Sequence, residues 1–376
     1  MKRIMASMFV ALTVGAVGAV AQGLTATLED NELVARTTTF YVNPLGELGE
    51  GINNFNTESL GVAIAASGNV LIGWEDDGDG LTDLEAVWTL YNSGGGSITP
   101  MTTITSAVLP GSVESKFLSY FRSDDSPTPG YTAWGPKIKA NLFGGGLGMG
   151  ATAFALSDEV PELADYDEGN TGDIPAVQLL TDSGEPAGIR VGVPVDYALR
   201  DGDIRVADWG FLASGNVVIV GESRQQADLV DVYGGAAAGN HAIFSILDPA
   251  GAVVKGVTLV SETTDPNEIW HGVGVTAEGF AVRFAGPGGA TVRMFDNAGN
   301  PTTGNLELGA LTGNAEAGAG GRGDNAGFHG NGADAYVVAN TSGTEVWVTV
   351  LETDGTVRAA DLFEQTGTLQ RWHMMP

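Results

Sequence analysis

The chain has 376 residues and no cysteine, and its 46 acidic residues outnumber 17 Lys and Arg, for a formal net charge of −29. That balance excludes a nucleic-acid partner, which needs clustered Lys and Arg, and the missing cysteines exclude disulfides and thiolate metal sites. Charged residues are only 17% and glycines number 56, the composition of many short strands and tight turns.

Residues 1–21 read as a secretory signal peptide. Lys2 and Arg3 make a positive start, Met5 to Val20 is mostly apolar and small, and Ala19-Val20-Ala21 fits a small-x-small cleavage site before Gln22. A membrane anchor would need roughly 20 strongly apolar residues, and this run is short and rich in Ala and Gly. Cleavage removes two positive charges and takes the net charge from −29 to −31. The expectation is a secreted protein (extracellular, cell-surface or periplasmic) whose mature part, 22–376, is one soluble domain with no membrane insertion.

A hairpin then repeats along the chain: an apolar strand, a polar turn closing on Gly, and a more polar strand. Its six copies begin at Phe40, Trp88, Val177, Phe244, Val292 and Val348. A first strand repeats beside it, marked by Gly after a bulky residue at Leu60-Gly61, Met149-Gly150, Trp209-Gly210, His271-Gly272 and His329-Gly330. Near the C-terminus Arg371-Trp372-His373 copies Ile269-Trp270-His271 without the Gly. The clearest unit is Val206 to Ser261, where Ser214-Gly215-Asn216 and Asp248-Pro249-Ala250-Gly251 have the composition of tight turns.

Four-stranded units in series stack as a solenoid or close radially. The chain opens with the later strands of a unit (Glu32 to Gly51) and ends with a first strand (Thr368 to Met375). Pairing the two would leave no open sheet edge. The expected fold is therefore an all-β propeller of six or seven four-stranded blades, closed by its C-terminal strand against its N-terminal strands. An insertion or degenerate extra blade falls around 112–148. The units resemble the broad group of bacterial secreted β-propellers whose blades read apolar strand, Gly-Asn turn, Val-rich strand, Asp-Gly turn. That resemblance implies a scaffold on which enzymes, lectins and adhesion modules all occur, and it does not set function.

Candidate sites follow in chain order. Glu75, Asp77, Asp79, Asp83 and Glu85, with the Leu81 carbonyl, place oxygens at alternate positions around glycines, as a Ca²⁺ loop requires. They resemble the Asp-x-Asp-x-Asp-Gly loops of extracellular calcium proteins, although the first ligand is Glu and Ala86 stands where a closing Glu would be. The other reading is a solvated loop between the strands Val70–Trp74 and Ala86–Leu90. Tyr131 and Trp134, in the aromatic and Pro-rich segment of the insertion, suit stacking against a sugar ring; an extra strand pair is the alternative. His271, His329 and His373 occupy one slot in three units, each after an aromatic residue. Three imidazoles can hold a transition metal, but Leu60, Met149 and Trp209 fill the slot elsewhere, which marks it for packing between blades. His241 reads as a surface residue. Arg322-Gly323-Asp324 lies in a Gly-rich stretch, where a three-residue adhesion motif is common by chance.

There is no Gly-x-Ser-x-Gly, no His-Glu-x-x-His and no phosphate loop. The expected function is non-catalytic: loops presented to an extracellular glycan, a protein, or copies of the chain itself, with calcium as a stabilising ion. The alternative is a carbohydrate-active hydrolase or lyase on the same scaffold.

Overall fold

The computed structural model describes residues 26–29, 32–35, 61–76, 85–93, 95–99, 102–103, 134–156, 171–191, 204–223, 241–262, 269–286, 288–313, 327–342 and 345–364. Five four-stranded antiparallel sheets dominate them, each a meander whose neighbours in space are neighbours in sequence. Blade 1 contains β3 (Gly61–Ile64), β4 (Val70–Asp76), β5 (Glu85–Tyr91) and β6 (Thr102–Thr103). Blade 2 contains β7 (Trp134–Ala140), β8 (Leu147–Leu156), β9 (Thr171–Leu180) and β10 (Pro186–Val191). Blade 3 contains β11 (Ile204–Phe211), β12 (Val217–Ser223), β13 (His241–Leu247) and β14 (Val253–Leu259). Blade 4 contains β15 (Ile269–Val275), β16 (Gly279–Gly286), β17 (Gly289–Asp296) and β18 (Leu306–Glu307), and is followed by the helix α1 (Leu308–Thr312). Blade 5 contains β19 (Gly327–Gly330), β20 (Ala335–Ser342), β21 (Glu345–Glu352) and β22 (Val357–Glu364). Before them, β1 (Ala26–Glu29) and β2 (Glu32–Ala35) pair with each other and, among the described residues, with no other strand, Leu28 standing opposite Leu33.

The turns form where the repeat predicts them. Between β11 and β12, Leu212 N–H donates to Asn216 O at 2.8 Å and Gly215 N–H donates to Leu212 O at 2.9 Å. Gly215 has φ +86° there, a conformation that glycine adopts without a Cβ clash. The same pair of bonds closes the turns at 181–185, 248–252, 296–300 and 352–356, each joining the third strand of a blade to its outer partner or leading toward it.

First strands β3, β7, β11, β15 and β19 stand side by side in that order, so the blades are arranged around a common axis as in a β-propeller. Side chains alternate along each strand, so every blade shows an apolar face to each neighbour. On β16, Phe280, Val282 and Phe284 join a cluster with Val218, Val220 and Phe244 of blade 3, while Ala281 joins Val338 and Tyr336 of blade 5. Phe244, Phe280 and Phe295 meet with ring centroids 4.8–5.1 Å apart. Between blades 2 and 3 the core is Trp209, Phe211, Val177, Leu179 and Ile219.

Three expectations are corrected. Among the described residues the blades number five, not six or seven. Strand β7 shows part of the reason: residues 134–140, read as part of an insertion or extra blade around 112–148, are the first strand of blade 2. Consequently Met149-Gly150, read as a first-strand mark, lies on the second strand, β8. The sixth unit and its closure drew on the Phe40 hairpin and on Thr368 to Met375, which lie outside the described residues. The part of the N-terminal segment that is described, β2, pairs with β1.

Candidate functional site

In a meander, successive connections leave from alternate ends. The connections between first and second strands, and between third and fourth, all leave from one end of the propeller. Several there are closed turns such as 65–69, 141–146, 212–216 and 248–252. The connections between second and third strands, and from each blade to the next, leave from the opposite end. They include 77–84, 104–133, 157–170, 192–203 and 224–240, whose residues lie outside the described ones. The two ends of the fold thus differ in how much chain they carry.

The strand ends that flank two of the predicted sites lie at the end with the long connections. Asp76 closes β4 opposite Glu85, which opens β5, and Glu75 pairs with Ala86 one step below. The acidic loop therefore springs from the tip of a regular hairpin in blade 1; its Asp77, Asp79 and Asp83 lie outside the described residues. Trp134 is the first residue of β7 in blade 2, opposite Thr152, and Tyr131 lies outside the described residues. Strand β7 is a direct neighbour of β3, β4 and β5, so the two features belong to adjacent blades.

The axis itself holds a polar layer that the sequence reading missed. Lys139 on β7 reaches Asp208 on β11, with Nζ 2.9 Å from Oδ1 and 3.0 Å from Oδ2. Asp208 also accepts Trp209 N–H on Oδ1 at 2.9 Å, and on Oδ2 the Val273 N–H of β15, also at 2.9 Å. One carboxylate thus joins the first strands of blades 2, 3 and 4, with side-chain exposures of 13% for Lys139 and 9% for Asp208. All three strands are irregular just before this contact, their registers shifting between Trp134 and Lys137, Val206 and Asp208, and Ile269 and Gly272. Bulges re-aim side chains and bend the strand, and here they turn residues of three blades toward one another. The sequence signal was a lone Asp in the apolar run Val206-Ala207-Asp208-Trp209.

A second buried polar contact joins blades 4 and 5. Arg283, in the apolar run of β16, donates from a terminal nitrogen to Asn340 Oδ1 on β20 at 3.1 Å. It is fully buried, and desolvation lowers its pKa to about 10. Also on β20, the Tyr336 hydroxyl meets Thr276 Oγ1 at 3.0 Å. Burial pushes this phenol up to about 12, against a smaller opposite effect of the Thr276 hydrogen bond.

The histidines divide. His271 is buried on β15, and His329 is half-buried on β19 opposite Val337. They sit on first strands of neighbouring blades, while His373 lies outside the described residues. His241, expected at the surface, is buried as the first residue of β13, opposite Ser223 in the middle of its sheet. Arg322-Gly323-Asp324 is outside the described residues. Among the described residues no three His, Asp or Glu side chains are grouped to hold a metal ion, and no helix is long and apolar enough to cross a membrane.

No protein-family model matches the chain, and no curated protein matches it. Solved structures do resemble it in outline. The GH93 α-L-arabinofuranosidase of Fusarium graminearum in complex with arabinobiose is 8% identical with a TM-score of 0.45, over 86% of this chain and 85% of that one. The α-L-arabinanase of Penicillium chrysogenum complexed with arabinobiose is 13% identical with a TM-score of 0.42, over 82% and 75%. The polysaccharide lyase Uly1 is 10% identical with a TM-score of 0.39, over 81% of this chain and only 57% of the lyase. At these identities the likeness concerns the course of the backbone and not the chemistry of any site.

Proposed function

We propose that this chain is an exported β-propeller that binds a carbohydrate across the end from which its long connections leave. The observation behind this reading is a juxtaposition. The hairpin tip that carries the acidic loop (Asp76 opposite Glu85) and the strand that opens with Trp134 belong to adjacent blades and share that end. Aromatic residues such as Trp134 and Tyr131 offer an apolar ring face for a sugar and a polar edge for its hydroxyls. The sequence of the acidic stretch, Asp77, Asp79 and Asp83 with Glu75 and Glu85, has the hard oxygens that a calcium loop requires. The rigid blades position the connections, and the connections carry the specificity.

The test is incubation of the purified protein with a polysaccharide panel, with and without calcium, read by calorimetry. The same samples are assayed for new reducing ends and for the ultraviolet absorbance of unsaturated uronates. Binding that weakens without calcium and in Trp134→Ala supports the reading. Turnover would move the protein to the hydrolase or lyase class. Absence of any binding, with self-association on a sizing column instead, would replace the glycan by a second copy of the chain.

A further inference from the structure

The turn between β7 and β8, residues 141–146, differs from its counterparts in other blades. In blade 3 the corresponding turn closes on itself, and a Cβ built on Gly215 would meet nothing within 4 Å. In blade 2, Asn141 N–H donates to Gly146 O at 3.0 Å and Phe143 N–H donates to Asn141 Oδ1 at 3.0 Å. These bonds hold Leu142 and Phe143 at the tip, and both side chains reach beyond their own blade. Phe143 packs against the apolar cluster shared by blades 3 and 4. Leu142 lies against the β19–β20 turn of blade 5, where a Cβ on Gly332 would stand 2.9 Å from Leu142 Cβ and 3.1 Å from its Cδ1. Gly332 is itself anchored to blade 4, its N–H donating to Val275 O at 3.1 Å.

Blades 2 and 5 are separated by two blades in the order of first strands. A direct contact between them therefore crosses the axis. We infer that residues 141–146 form a strap across the short-turn end of the propeller, closing the axial opening there and tying blade 2 to blade 5. This goes beyond the proposed carbohydrate reading, because it concerns the opposite end and holds whatever the ligand is. Two consequences follow for the molecule. A ligand that approaches the layer around Lys139 and Asp208 does so from the end with the long connections. The described blades are also held together independently of any pairing between the chain's terminal strands.

The absence of cysteine makes the strap directly testable. In Leu142→Cys/Gly332→Cys the two Cβ atoms start 2.9 Å apart, and the exposed turn needs to ease outward only slightly to reach the roughly 3.5–4.5 Å that a disulfide spans. Mild oxidation should give an intramolecular crosslink, seen as a faster monomer band on a non-reducing gel and reversed by thiol. Leu142→Cys/Gly215→Cys is the matched control, because Gly215 carries the same kind of positive φ (86°, against 70° at Gly332) and should stay uncrosslinked. A folded Leu142→Cys/Gly332→Cys protein that keeps two free thiols under these conditions would overturn the strap. Phe143→Ala provides a second measurement that adds no strained residue. It should melt roughly 3–5 °C lower and speed hydrogen exchange in β12, β13, β15 and β16, on blades 3 and 4, whose shared cluster Phe143 packs against. Faster exchange confined to β7–β10 would overturn the coupling.

Discussion

Asp208→Ala removes the one carboxylate that joins three first strands. It leaves the Lys139 ammonium without the oxygens that stand 2.9 Å and 3.0 Å away, and leaves the N–H groups of Val273 and Trp209 without acceptors. Breaking a buried ion pair by removing one partner costs about 3–5 kcal/mol. Lys139 retains 13% exposure and so recovers some hydration, which places the expected loss near the lower end, about 3 kcal/mol. Lys139→Met leaves Asp208 with both amide donors, and its expected loss is smaller, about 2 kcal/mol. In the double variant neither charge is stranded, so its loss should fall short of the sum by about 1–2 kcal/mol. Urea unfolding followed by tryptophan fluorescence measures all four corners of the cycle. Additive losses, or a loss below about 1 kcal/mol for Asp208→Ala, would refute the reading of this pair as a buried lock.

Three further outcomes are expected. Gly150→Ala places a methyl 2.5 Å from Trp209 Cδ1 and 2.7 Å from its Nε1, and it threatens the 2.7 Å bond from that Nε1 to Lys137 O. Overpacking of this kind costs about 1–3 kcal/mol, whereas Gly144→Ala in the exposed turn, with its nearest neighbour 3.5 Å away, should be near neutral in the same melts. Tyr336 has its folded pKa raised to about 12, so its stabilising contribution is complete below pH ~10 and is lost as pH rises toward ~12, by about 2–3 kcal/mol. Tyr336→Phe should lack that alkaline loss in urea titrations across pH, and comparison of the two proteins cancels the opposite trend from Arg283. Calorimetry with calcium should register one site fewer in Asp79→Ala than in the parent protein; equal heats would leave the acidic stretch as an ordinary loop.

Much of the candidate site was legible as composition but not as position. The acidic run from Glu75 to Glu85 and the aromatics around Trp134 stand out in sequence because their residue types are concentrated. Nothing local says that the strands bearing them are neighbours, since that contact is made between blades. The axial pair was harder still. Lys139 and Asp208 are far apart in the chain, and each alone looks like an ordinary polar residue in a strand. Their strands, β7 and β11, each shift register just before the point where the two come within 3.0 Å. His241 misled for a related reason: its polarity suggested exposure, but its place at the start of a central strand buries it to 2%.

The sequence alone was enough for the strand-and-turn grammar, because tight turns are decided within about five residues. The run Leu212 to Asn216 closes on its own hydrogen bonds and needs a glycine at φ +86°, whatever lies around it. Tertiary structure decided the number of blades and which strand each mark belongs to. A Gly after a bulky residue reports that another blade comes close, and it does not report which strand carries it. Gly61 on the first strand β3 makes room for Ile138 of the next blade, and Gly150 on the second strand β8 makes room for Trp209. The same two-residue signature thus arises from two different packings, and only the arrangement of whole blades around the axis separates them.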